Sequence, residues 1–256
     1  MLKTVFLIII IIYFALSLFA FFFADKMIFL PPSASYSDNA NVIKIKTSAN
    51  HLISAVYLFN KHAKYTILVS HGNAEDLGFI YPFLQELRAQ GFSVFAYDYS
   101  GYGTSEGISS EKNSYDDIKS AYDYLVNDLG ISSQNIILYG HSIGAAVSLD
   151  LATKSKVAGI IMESPFVTAF RVVTVFPILP FDEFDNLAKI QKVKCPLLII
   201  HGEQDTIIPI WHGKELYAKA NPIKKAYWVP DAGHNDIAYK AGESYWQTIK
   251  EFVNSI

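Results

Sequence analysis

Apolar positions along this chain fall into three patterns, and each implies a different environment. The first is an uninterrupted run from Thr4 to Ala24 with no charged side chain. The second is an alternation, Val42-Ile43-Lys44-Ile45-Lys46, which predicts a half-exposed strand with Leu52 to Phe59 as its hairpin partner. The third is a series of short continuous apolar runs, each ending at a turn. Tyr65–Ser70 ends at His71-Gly72-Asn73, and Ser93–Asp98 at Ser100-Gly101-Tyr102-Gly103. Asn135–Tyr139 ends at Gly140-His141-Ser142-Ile143-Gly144, and Val157–Met162 at Ser164-Pro165. Pro196–His201 ends at Gly202-Glu203-Gln204-Asp205, and Lys225–Val229 at Asp231-Ala232-Gly233-His234. Helical periodicity fills the gaps. A helix runs to Gln90 with Pro82 as a second start and Gly91 as its stop. Another carries Tyr115, Ile118, Tyr122, Leu125 and Leu129, a third runs to about Lys154, and the last carries Tyr245, Trp246, Ile249, Phe252 and Val253. Strands that are apolar throughout and alternate with helices predict an α/β fold, a mostly parallel sheet with helices on both faces.

The N-terminal run meets the ~20 residues a helix needs to cross a bilayer. A cleaved signal peptide is the competing reading, but its apolar region is shorter, ~7–15 residues, and ends in a small-x-small site. Here the run ends Phe19-Ala20-Phe21-Phe22-Phe23-Ala24, with bulky rings where a peptidase needs small residues, which favours an uncleaved transmembrane helix. Lys3 lies on one side of it and Asp25 and Lys26 on the other. The positive-inside tendency then places the rest of the chain on the outer, non-cytoplasmic face. The expected organisation is an anchor over 1–26, a short Pro-, Ser- and Asn-containing link over 27–40, and one domain over 41–256. Residues 165–194 of that domain form an unusually apolar connection.

Composition narrows the functional classes. With 256 residues, 51% of them hydrophobic, the chain can bury a sizeable core in a single domain. A net charge of -3 and no run of Lys or Arg give no electrostatic footprint for nucleic acid. The single cysteine, Cys195, has no partner for an internal disulfide, and no Cys/His cluster has metal-ligand spacing, so neither a metal nor another cofactor is expected.

Gly140-His141-Ser142-Ile143-Gly144 has the form G-x-S-x-G at a strand-to-helix junction, where a strained turn lifts the serine hydroxyl above the sheet edge. A serine hydroxyl needs a base within hydrogen-bond reach and an acid to orient that base. In parallel-sheet enzymes such groups sit on loops at the carboxyl ends of strands. His51, His62 and His212 follow no predicted strand; His71, His141, His201 and His234 do. His141 adjoins the serine and points away from a relay, and His71 and His201 read as packed, hydrogen-bonded residues in glycine turns. His234 is left as the base. The order serine, acid, histidine then selects Asp205, with Glu203 as its local rival and Asp182, Asp185 and Asp231 as solvated loop charges. The backbone N–H groups of Ile143 and Asn73 are the expected oxyanion donors. Phe166, Phe170, Val173, Phe176 and Leu179 are expected to lie above Ser142 as an acyl-binding lid.

These segments, together with Ser70 to Gly78, Tyr97 to Gly103 and Gly233-His234-Asn235-Asp236, resemble an α/β-hydrolase. More narrowly, they resemble the membrane-associated branch that includes the eukaryotic protein depalmitoylases. The resemblance runs from about residue 65 to the C-terminus. It implies Ser142 as nucleophile, Asp205 as acid and His234 as base, hydrolysing esters or thioesters without a cofactor. The substrate would be a lipid or a lipidated protein. The depalmitoylases carry a cysteine-rich, lipidated N-terminus, whereas this chain has a hydrophobic span. Lysophospholipase or monoacylglycerol lipase activity, and a non-catalytic binding module of the same fold, are the alternatives.

Overall fold

The computed structural model describes residues 2–256. Leu2–Ile28 form one helix, α1, about 40 Å long at 1.5 Å per residue, and Ala24 is its one buried side chain. Its mean hydropathy reaches 3.0, so it is long and apolar enough to cross a membrane. Beyond it the chain lies along the rest of the molecule as a strap. Phe29 is buried, the Ser35 N–H and hydroxyl donate to Asp76, and the Tyr36 hydroxyl donates to Asp98.

The rest of the described residues are built around one eight-stranded sheet. Its strands are β1 (Ile43–Lys46), β2 (Leu52–Leu58), β3 (Thr66–Ser70), β4 (Ser93–Tyr97), β5 (Ile136–His141), β6 (Gly159–Glu163), β7 (Leu197–Gly202) and β8 (Lys224–Val229), in the spatial order β1-β2-β4-β3-β5-β6-β7-β8. The first three in space pair antiparallel, and every later neighbour is parallel, with Ile67 opposite Val94 and Ile137.

Successive side chains of a strand point to opposite faces, so each continuous apolar run feeds two cores. Leu68, Leu138, Ile160 and Ile199 meet one layer of helices: α3 (Glu111–Asp123), α4 (Ile143–Lys154), α5 (Asn186–Ile190) and α6 (Trp211–Lys219). Ile67, Val69, Ile137, Ile161 and Leu198 meet the other: α2 (Leu77–Ala89), α7 (Ile237–Ala241) and α8 (Glu243–Asn254).

Two elements differ in detail from the sequence expectation. Pro82 does not restart a helix. α2 runs unbroken from Leu77, capped by the Asp76 carboxylate accepting the Phe79 N–H at 2.9 Å. Burial of Leu77, Ile80, Leu84 and Leu87 along its inner face outweighs the one backbone bond that proline removes. The periodic run ending at Leu129 is α3 followed by a π-helical turn, Tyr124–Asp128. The last helix, α8, carries Tyr245, Trp246, Ile249, Phe252 and Val253 as expected, and the short α7 precedes it across Gly242, where φ is +53°.

Residues 165–194 form neither a long helix nor a strand. They carry a single 3₁₀ turn, Phe170–Val172, and α5. Asp182 is not simply solvated: it accepts from the Thr168 hydroxyl and the Phe170 N–H, and Asp185 caps α5. Val173, Val175, Phe176 and Ile178 are exposed, beside α1, whose Tyr13 hydroxyl donates to the Ile178 carbonyl and whose Phe21 ring meets Phe181 edge-on.

Candidate active site

β5 stops at His141 and α4 starts at Ile143, so Ser142 is the whole turn, with φ +55° and ψ -116°. A non-glycine residue at positive φ costs ~1–3 kcal/mol and persists only where its surroundings enforce it. Here they do. The Ser142 N–H is held by the Glu163 carbonyl of β6, and the Ser142 carbonyl accepts from Ala145. A Cβ on Gly140 would fall on the Gly144 carbonyl, and one on Gly144 would fall on that of Ser70. The two glycines therefore let strand and helix close to the distance this turn requires.

The loop after β8 brings His234 over this serine. Its Nε2 lies 3.1 Å from the Ser142 Oγ and its Nδ1 lies 2.7 Å from the Asp205 Oδ2, on the loop after β7. A carboxylate only accepts, so the Nδ1 carries the proton and the Nε2 is left to accept the serine hydroxyl. Asp205 is itself fixed. Its Oδ1 accepts the N–H groups of Ile207 and Ile208, and His201 sits 3.3 Å from its Oδ2. Burial by itself would raise the Asp205 pKa; the hydrogen bonds from His201, His234 and Ile208 override it and hold the carboxyl well below the usual range. Glu203, the rival acid, is exposed, while Asp205 is buried. His201 is packed in its turn, as expected, with its Nε2 2.8 Å from the Ile208 carbonyl and beside the Asp205 carboxylate. No pattern in the sequence signals that contact, because His201 and Asp205 meet only once the turn between them closes.

His141 points away from the relay, as expected, toward a partner the sequence did not reveal. Its Nδ1 lies 3.8 Å from the Glu75 carboxylate, which also accepts the Gly72 N–H at 2.7 Å, and its Nε2 lies 3.3 Å from the His234 carbonyl. Burial works to lower the His141 pKa, but the Glu75 carboxylate prevails and raises it to about 9. Burial likewise opposes ionisation of Glu75, and His141 brings it down to about 2. One ion pair thus ties together the loops that carry Asn73, Ser142 and His234. His71 is packed under Tyr99 and Tyr102 with its Nε2 3.3 Å from Asp98.

Ser142, His234, Ile143 and Asn73 open into one cleft of about 360 Å³. Ile143 is the first residue of α4, so its N–H has no acceptor within the helix. The apolar wall of the cleft includes Phe166, Val172, Val173, Ile207 and Ile208, and the end of α1 supplies Met27 and Ile28. Of the five residues assigned to an acyl-binding lid, Phe166 and Val173 line this cleft. Phe170, Phe176 and Leu179 lie outside it: Phe170 stacks edge-on with Phe181, and Phe176 is 74% exposed. Nothing local in the sequence marks Met27, Ile28 and Ile207 as neighbours of Ser142.

Comparison with known proteins agrees with this architecture. The family described as "Serine aminopeptidase, S33" matches residues 61–179. Human "Alpha/beta hydrolase domain-containing protein 17B" is 36% identical over 264 residues, covering 90% of either chain. The Caenorhabditis elegans "Alpha/beta hydrolase domain-containing protein aho-3" is 36% identical over 265 residues, covering 90% of this chain and 77% of its own. Among solved structures, the Pyrococcus furiosus esterase Pf2001 superposes with a TM-score of 0.75 at 21% identity, over 88% of this chain and 99% of its own, a likeness of fold. A parallel sheet with a serine elbow at its centre and relatives of this identity over nearly the whole length leave one conclusion: the chain belongs to the α/β-hydrolase family that includes the domain-containing proteins 17B and aho-3.

Proposed function

We propose that this protein is a membrane-anchored serine hydrolase that cleaves carboxylic esters or thioesters of acyl chains. The observation that carries this reading is the continuous relay from Ser142 through His234 to Asp205, at 3.1 and 2.7 Å, at the floor of a cleft with one apolar wall. In this mechanism the Ser142 Oγ attacks the acyl carbonyl and its proton passes to the His234 Nε2. Asp205, kept ionised, stabilises the imidazolium that forms. The oxyanion takes hydrogen bonds from the N–H groups of Ile143 and Asn73, each contributing ~2.7–4 kcal/mol in comparable sites. His234 then returns the proton to the leaving alcohol or thiol, and the cycle repeats with water as nucleophile on the acyl-serine. Every group these steps require belongs to the chain, so the proposal includes no cofactor.

A cleft of about 360 Å³ lies within the ~300–1,000 Å³ usual for small-molecule sites. Its apolar wall favours an acyl chain, since each methylene removed from water contributes ~0.8 kcal/mol. α1 supports the membrane part of the proposal by its length and hydropathy. The test is labelling of the full-length protein by a fluorophosphonate, with p-nitrophenyl esters of graded chain length and an acyl-CoA as substrates. Labelling at Ser142 with kcat/KM rising from acetyl to medium chains supports the reading. An unlabelled, inactive protein would point to a binding module.

A further inference from the structure

We propose that the end of α1 is a working wall of the acyl site. Met27 and Ile28 set the length of chain accepted, and the Asn73 side chain fastens this wall to the oxyanion loop. This rests on the serine-hydrolase reading above and specifies where its substrate lies. Both residues line the cleft that holds Ser142, although they stand more than a hundred positions before it in the chain.

The attachment is specific. The Asn73 Nδ2 donates to the Ile28 carbonyl at 2.5 Å, the carbonyl that ends α1. The Asn73 Oδ1 accepts the Leu30 N–H at 3.0 Å, the Tyr102 hydroxyl at 2.6 Å and the Ala74 N–H at 3.0 Å. The Leu30 N–H also reaches the Tyr102 hydroxyl at 3.1 Å. An amide is suited to this position because it donates to one side and accepts from the other; a carboxylate would lose the first contact and a hydroxyl could not span both. Phe29, buried between Tyr102 and Phe184 with ring centroids 6.5 and 5.9 Å away, prevents the junction from swinging out. Helix end and oxyanion loop therefore move as one piece.

The geometry bears on the substrate class. A chain running from an acyl-serine past Met27 and Ile28 continues onto the surface of α1, which is apolar and exposed along its length. With α1 in a bilayer, the acyl chain need not leave the lipid to be cleaved. The substrates are then acyl esters or thioesters whose chain is already membrane-embedded.

The experiment uses the full-length protein in lipid nanodiscs. Wild type, Met27→Trp, Ile28→Ala and Leu16→Trp are compared for kcat/KM on p-nitrophenyl acetate, octanoate and palmitate, with fluorophosphonate labelling of each. Met27 is exposed, so the larger ring does not challenge folding, and Leu16 is an exposed α1 position that does not line the cleft. The expected result for Met27→Trp is a fall of about tenfold or more in the palmitate-to-acetate ratio. Ile28→Ala should shift the preferred length upward, and Leu16→Trp should keep the wild-type ratio. Wild-type ratios in both Met27→Trp and Ile28→Ala, with Ser142 still labelled, would overturn the inference and leave the hydrolase reading standing. Absence of labelling in the wild type would overturn both.

Discussion

The floor and the roof of the cleft are built by opposite means. On the floor, Ser142, His234 and Asp205 each have their polar atoms engaged, and their loops are pinned by backbone bonds from β6 and from the turn after β7. On the roof, Val173 is 89% exposed and Phe176 74%, and the segment between the 3₁₀ turn and α5 has little regular structure. The proposed relay would tolerate errors of only fractions of an ångström, so a polar network on rigid strand ends suits it. The roof has no such requirement. Its apolar side chains lie beside the equally exposed α1, and a shared bilayer surface, as proposed, accounts for both at once.

The largest effect should come from breaking the floor at its centre. Ser142→Ala should lower kcat on the order of 10⁶-fold and abolish fluorophosphonate labelling, with an unchanged circular dichroism spectrum. Retention of most turnover would place the chemistry elsewhere. Next, Asp205→Asn should reduce kcat by up to ~10⁴-fold, because an amide can donate to the His234 Nδ1 and stabilise the wrong tautomer. Exposed Glu203, changed to Gln, should leave steady-state rates near wild type, and a reversed ranking would reassign the acid.

The Glu75–His141 ion pair, which lines the same cleft, offers a smaller, pH-dependent effect. Glu75→Gln should destabilise the protein by about 1–3 kcal/mol, because His141 loses its partner in a buried setting. His141 also faces the Glu163 and His234 carbonyl side of the site, and Glu75 faces His71, so the pair titrates within that group. The His141 pKa is raised from 6.5 to about 9, so its contribution is complete below about pH 6.5 and is lost as pH rises through 9. Glu75, lowered from 4.5 to about 2, contributes above about pH 4.5 and loses that contribution as pH falls through 2. The Tm difference between wild type and Glu75→Gln should therefore be greatest between about pH 4.5 and 6.5 and shrink above pH 9. A difference that does not vary with pH would mean that the pair acts through packing alone.

The smallest effect should come from the roof. Phe176→Asp removes an exposed ring outside the cleft, so hydrolysis of p-nitrophenyl acetate should hold, while the rate on vesicle-embedded esters falls by roughly tenfold or less. Equal loss on both substrates would show that Phe176 reaches the site after all.

Much of the floor was legible along the chain. Each parallel strand is buried on both faces and so reads as a continuous apolar run. Four of the seven histidines follow such runs, and one of the four, His234, is the one the structure brings to Ser142. Boundaries were less legible where packing overrode local preference, as at Pro82 within α2, or where the end of a periodic run changed its winding, as at Tyr124–Asp128. The roof was less legible: its apolar residues are too many for a solvent-facing loop, but the sequence does not say whether they turn toward Ser142 or away from it. Phe166 and Val173 turn toward it, and Phe170, Phe176 and Leu179 do not.

Sequence by itself thus determined the strand-helix alternation, the turn at Ser142 and the placing of Asp205 and His234 after strands, because backbone periodicity and turn chemistry are local properties. Only the tertiary structure decided that Glu75 pairs with His141, that His201 supports Asp205, and that Met27 and Ile28 close the same cleft as Ser142. Those contacts join residues from separate loops, or the two ends of a closed turn. The first exists because the sheet sets β3 beside β5 although β4 lies between them in the chain, the second because the turn after β7 closes, and the third because the end of α1 is held to the loop after β3.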